Sequence, residues 1–346
     1  MAEIIIHAGM PKTGSTSVQH WLRTNSAELR ARHEVHLLVA TNQTRNNPTL
    51  EVHVEPYESG GINSGPLIFA WAVDGYGPTV PVRFVDELRT LAPDSGRALI
   101  TGEALSQLFW RLDEPFLHAL DALGAEHRVR VAYYVRPQHT AIESWWCEAG
   151  FRQAAEPSAA VVGKTRELHY LQTLEGVRAL APNVDFVVRP FRRDLLDRES
   201  VVDDFARRFL QLNEECPPVN ANVGLPLELV NVLRAAPDGM FWNGDRELYA
   251  RGKLKAAAAR LSLPESDATR RSRAVLANFA HEIFEAENRA LIKELGWPTN
   301  AFVPRPTAPD RDRAQVSELD VLWKPAASPA DTASQLEALK SLLDAP

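Results

Sequence analysis

Residues 3–7 (EIIIH) are a short apolar, β-branched run that stops at Ala8-Gly9. Consecutive apolar positions over that length predict a strand buried on both faces. Gly9 to Gly14 carries Pro11 between its glycines and reads as a turn. Ser15 or Thr16 then opens a helix expected to run to about residue 32, with Val18, Trp21, Leu22 and Leu29 on one face. A strand, a glycine-bearing loop and a helix in that order favour a parallel sheet, whose strands need helical crossovers.

The next two-thirds repeats the alternation. Strands are expected at 35–40, 97–101, 128–135 and 184–189. Helices are expected at 66–73, 81–91, 105–110, 114–123, 138–149, 165–181 and 200–212. Residues 41–65 are polar and rich in Gly, Asn and Pro, which predicts a long loop suited to acceptor binding or a lid. Beyond 220 the pattern is helical, over 226–235, 246–261 and 272–295. The expected fold is α/β: a P-loop-like three-layer arrangement around a central parallel sheet, with an added C-terminal helical region. Residues 1–302 are expected to form one α/β domain with the helical extension from about 220. Residues 303–346 are rich in Pro and Ala and read as a tail, partly disordered or draped on the surface.

Composition narrows the function classes. The 346 residues carry a net charge of −7, unsuited to a protein that coats nucleic acid. The two cysteines, Cys147 and Cys216, form no CxxC, so neither a disulfide framework nor a cysteine zinc site organises the chain. No apolar run is long enough to span a bilayer, and the first residues lack the pattern of a secretory leader, so the expectation is cytoplasmic. Of the 38 basic residues, 31 are Arg and 7 are Lys, so a lysine in the first loop is a departure from this chain's habit.

That lysine is Lys12, in Lys12-Thr13-Gly14-Ser15-Thr16. The context is that of an anion cradle: backbone N–H groups at a helix N-terminus, a cation and hydroxyls. The nucleoside-triphosphate motif G-x-x-x-x-G-K-[ST] has its glycines matched by Gly9 and Gly14, but Ser15 stands where its lysine would be. A lysine moved upstream suits a shorter anion. A second cation, Arg136, leaves the strand at 128–135, and Ser144 follows eight residues later on the next helix. A guanidinium fork and a hydroxyl are a fitting pair for one anion.

Together these segments resemble sulfotransferases that use 3′-phosphoadenosine 5′-phosphosulfate (PAPS). The first loop resembles their 5′-phosphosulfate loop, and Arg136 with Ser144 resembles their 3′-phosphate motif. The fuller strings IIIHAGMPKTGSTSVQHWL and VNANVGLPLELV are similar to bacterial sulfotransferases of the carbohydrate-modifying type. The resemblance covers about residues 3–300. It implies that Lys12 contacts the phosphosulfate and follows the leaving bridging oxygen. It also implies that the amides of Thr13, Gly14, Ser15 and Thr16, with the Ser15 and Thr16 hydroxyls, cradle the 5′-phosphate. Arg136 and Ser144 would hold the 3′-phosphate, and PAP would be the product, without a metal. The late glycine-rich motif of the small-molecule branch has no clear counterpart; Arg251-Gly252-Lys253 is its faintest echo.

An acceptor hydroxyl or amine needs a general base. Glu103 follows the strand at 97–101 and so falls at the same sheet edge as Lys12 and Arg136; it suits a base or a helix cap. His53 and Glu55 in the long loop, and His7 at the end of the first strand, are further candidates. Arg189 reads as a fourth sheet-edge cation or a surface residue. The expected partner is a small-molecule or glycan acceptor. The C-terminal helices or the tail are the candidate contact for a homodimer. The competing readings are a kinase or NTPase with a degenerate phosphate loop, and a PAP-binding scaffold without activity.

Overall fold

A computed structural model of the chain describes residues 2–10, 12–42, 52–58, 79–151, 156–217, 225–234, 265–302 and 315–323, with isolated positions between 334 and 341. The chain divides into two compact units. The first holds Met1–Pro137, Glu167–Asn222 and Glu287–Ala301; the second holds Gln138–Arg166, Val223–Ala286 and Phe302–Pro346. This division does not follow the 302/303 boundary set out above.

The first unit is α/β. Its six strands are β1 (Glu3–His7), β2 (Val35–Asn42), β3 (Val52–Pro56), β4 (Arg97–Thr101), β5 (Arg128–Val135) and β6 (Val184–Pro190), in spatial order β3-β2-β4-β1-β5-β6. All neighbours are parallel except the β2–β3 pair. β1 lies between β4 and β5, and Ile4, Ile5 and Ile6 are each at most 1% exposed, as a run apolar on both faces requires. Ile5, Leu37, Leu99, Ala132 and Tyr134 share one buried cluster with Val18, Trp21, Leu22 and Leu29 of the first helices and with Phe205 and Phe209. Tyr133 and Phe186 instead meet Phe109, which packs edge-on against Phe116.

Several expectations change. The helix expected over 15–32 is two, α1 (Ser15–Thr24) and α2 (Ser26–His33). Asn25 breaks it: its side-chain amide and its backbone N–H both donate to the Trp21 carbonyl. Part of the segment read as a loop is strand. β2 runs on to Asn42 and pairs with β3, with Thr41 opposite His53. The helix expected over 165–181 starts as a 3₁₀ turn, Thr165–Leu168, and resumes as Tyr170–Leu180. The expected helices over 66–73 and 246–261 lie outside the described residues.

The second unit includes the helices Gln138–Trp145, Pro157–Lys164 and Leu227–Arg234, and a π-helical turn at Trp146–Gly150. Part of the expected tail is packed core here. Trp323 is fully buried and stacks on Trp146 at 4.6 Å between ring centroids. Asp320 accepts from both the backbone N–H and the hydroxyl of Ser158, and Arg234 donates to the Trp323 carbonyl. Apolar burial and these polar ties, not draping, hold residues 315–323. Residues 303–314 lie outside the described set. No helix among the described residues is long and apolar enough to cross a membrane.

Candidate functional site

Strand order locates the site. From β1 the chain returns to the sheet at β2, on one side; from β5 it goes to β6, on the other. The two connections part at the carboxyl ends of β1 and β5, where open α/β sheets form a ligand crevice. The described residues there are Ala8–Met10, Lys12–Gly14 and Arg136.

The loop is built from its own sequence. Ala8 and Met10 donate backbone N–H groups to Ala132 and Tyr134, so the chain tracks β5 after β1 has ended. The Met10 carbonyl then accepts from both the backbone N–H and the hydroxyl of Thr13, at 3.2 and 2.6 Å. Thr13 therefore shapes the turn with its hydroxyl and with the backbone N–H that the resemblance had aimed at the anion. Lys12 adopts φ 69°, a left-handed value uncommon outside glycine. Gly14 caps α1 at φ 78° and offers the first helical turn no side-chain acceptor. The first N–H groups of a helix lack intrahelical partners, which suits them to an anion.

At two glycines the chain's own side chains already stand where a Cβ would go. A Cβ on Gly9 would come within 2.9 Å of the Thr13 hydroxyl, and one on Gly14 within 2.9 Å of the Phe191 ring and 2.8 Å of Val201. Phe191 also carries Arg136, whose guanidinium carbon lies 4.9 Å from the ring centroid. One aromatic ring thus lies beside both Gly14 of the loop and the guanidinium of Arg136. The Arg136 carbonyl accepts from the buried Tyr170 hydroxyl, and Phe191 donates its N–H to Val135, so both ends of this bridge are pinned. Phe191 was not singled out from the sequence. It follows β6 directly, so the sheet-edge rule that found Arg136 was the signal for it.

Glu103 sits in the turn after β4, the strand on the other side of β1. Its carboxylate accepts from the Ser15 hydroxyl at 3.2 Å. The candidate base and the loop are therefore in direct contact. Ser15 is 3% exposed and Thr16 is half-buried on α1. Three adjacent strands, β4, β1 and β5, carry Glu103, Lys12 and Arg136 at one edge.

Within the first unit, His53 and Arg189 fall elsewhere. His53 lies on β3, the edge strand three places from β1, about 14 Å away at a normal strand spacing. Ser144 lies half-buried on the helix Gln138–Trp145 of the second unit. Arg189 is no open cation: it forms a two-pronged pair with Asp204 at 2.6 and 3.2 Å, joined by Tyr134 and Arg208. Burial pushes the Asp204 carboxyl up, but the bonds and charge of Arg189, with Tyr134 and Arg208, outweigh it and hold it below the usual carboxylate value. Among the described residues no group of three or more His, Cys, Asp or Glu side chains is arranged to hold a metal.

Comparison with family models, with curated proteins and with solved structures gives no match. The reading of function therefore rests on the sequence motifs and this geometry.

Proposed function

We propose that the chain is a nucleotide-dependent group transferase with a P-loop-like sheet, and more specifically a PAPS-dependent sulfotransferase. The observation that carries it is the convergence of Lys12, Glu103 and Arg136 at the carboxyl edge of three adjacent strands, with Phe191 bridging loop and Arg136. The fit to a phosphosulfate rests on the α1 N-terminus, which Gly14 caps without a side-chain acceptor, beside the loop lysine.

The donor supplies a sulfuryl group that moves in line to an acceptor oxygen or nitrogen, the S–O bond to the 5′-phosphate breaking as the new bond to sulfur forms. The chain's own groups do the rest. Lys12 and the α1 N-terminus stabilise the charge that develops on the leaving phosphate oxygen. Glu103 takes the acceptor's proton, and its bond to Ser15 holds it against the loop. Arg136 selects for a second phosphate. The acceptor is a hydroxyl or amine of a carbohydrate, glycolipid or other small molecule.

Thermal shift with PAP, with ATP·Mg²⁺ and with buffer tests the assignment. At saturating PAP the expected rise is roughly 5 °C. Lys12→Ala and Arg136→Ala should each abolish most of it. Stabilisation by ATP·Mg²⁺ and not by PAP overturns the proposal in favour of a kinase or NTPase.

A further inference from the structure

His7 closes β1 and is 1% exposed. Phe205 and Tyr134 pack edge-on against its ring at 5.1 and 6.1 Å. Its Nδ1 is hydrogen-bonded to the Thr101 hydroxyl at 2.9 Å, and Thr101 also accepts from the Gln19 side-chain amide of α1. Its backbone carbonyl accepts from Gly102. The other ring nitrogen, Nε2, is buried and has no hydrogen-bond partner among the described residues. It faces Gly9: a Cβ placed there would lie 3.3 Å from it.

An apolar residue of similar size would fill this casing without leaving a polar atom idle. A local choice that breaks the rule for buried polar groups points to a function that compensates. The ring is not built to shuttle protons, because burial lowers its pKa to about 4 and keeps it neutral. What it does is tie three segments together. Thr101 and Gly102 lead directly into Glu103, Gln19 belongs to the helix that follows the loop, and the far edge of the ring underlies Gly9.

We propose that His7 is a positioning residue, a neutral clamp that fixes the Glu103 turn and the Gly9–Gly14 loop against each other through Thr101. It touches no reacting atom and acts by holding Glu103 and Ser15 in register. In its kinetic consequence the proposal rests on the sulfotransferase reading; in its structural content it does not.

The test uses three variants of the full chain and needs no acceptor. His7→Asn places an amide where Nδ1 was and retains the bond to Thr101. His7→Leu removes the bond and keeps the bulk, and Thr101→Val removes it from the other side with little change in shape. Amide hydrogen exchange over 102–106 and 9–17 is read without ligand, and PAP release from PAPS, with water as acceptor, is read beside PAP affinity. Expected is exchange faster by about tenfold or more in both segments for His7→Leu and Thr101→Val. His7→Asn should stay near the native chain. PAP release should fall in the same order, with PAP affinity changed by less than about threefold. Native-like exchange in both His7→Leu and Thr101→Val overturns the clamp, as does a His7→Asn no better than His7→Leu. If the native chain neither binds PAP nor turns over PAPS, the donor assignment fails, and the exchange pattern still decides the clamp.

Discussion

At the scale of single residues, the contact between Ser15 and Glu103 joins two roles that the sequence kept apart. If Glu103 is the base, Glu103→Gln removes the proton acceptor while an amide oxygen still receives the Ser15 hydroxyl. Turnover of PAPS should fall by about 10²–10⁴, with the PAP thermal shift intact. Loss of PAP binding instead would make Glu103 a structural partner of the loop. His7 yields a pH prediction whose sign follows from linkage. Its folded pKa, about 4, lies below the ordinary 6.5, so between these values the unfolded chain binds more protons. The neutral ring's contribution is therefore intact above pH 6.5 and is lost as pH falls toward 4, by up to about 1.4 kcal/mol per unit. Urea unfolding at pH 7 and pH 5 should show the native chain losing more stability than His7→Asn. Equal losses would mean that the ring is already charged or exposed.

At the scale of elements, the β1–loop–α1 unit needs Gly14 for its geometry, whereas the helix Pro157–Lys164 merely tolerates Gly163. Gly14 sits at φ 78° with Phe191 and Val201 already where a methyl would go. Gly14→Ala should cost about 1–3 kcal/mol and weaken the PAP shift, since the loop must move to admit it. Gly163, inside the helix Pro157–Lys164, has nothing within 4 Å of an added Cβ. Gly163→Ala should stabilise by about 0.4–1 kcal/mol. Denaturant midpoints for the two variants must move in opposite directions. This contrast also shows where the sequence is legible. β1, β4 and β5 were readable because continuous apolar runs betray strands buried on both faces, and the sheet-edge rule then found Lys12, Glu103 and Arg136. Local pattern did not show Asn25 competing for the Trp21 carbonyl, nor β3, a five-residue edge strand that pairs with β2 and buries Val54. Arg189 ends a strand as Arg136 does, and the distant Asp204 that pairs with it is invisible to local pattern. Thr13 likewise hid its role, because the carbonyl it binds belongs to the turn that it shapes.

At the scale of the whole molecule, the last described stretch of the chain is a structural member of the second unit. Trp323 stacks on Trp146, and the Arg234 guanidinium lies 5.1 Å over the Trp146 ring while donating to the Trp323 carbonyl. Burial lowers the Arg234 pKa, with Asp320 opposing, so the guanidinium is desolvated against this stack. Removing a fully buried indole strips dispersion contacts and leaves a cavity, a loss of about 3–5 kcal/mol. It would also leave Arg234 and Asp320, which now accepts from Ser158, beside the gap. Trp323→Ala should therefore speed amide exchange across 138–150, 157–164 and 227–234, with peptides from β1 and β5 as the internal reference. Trp323→Phe, which keeps a stacking face, should recover most of the protection. Unchanged exchange in those helices would return residues 315–323 to the status of a dispensable tail. Slowing confined to the native chain and the phenylalanine variant would make them part of the core that the second unit cannot fold without.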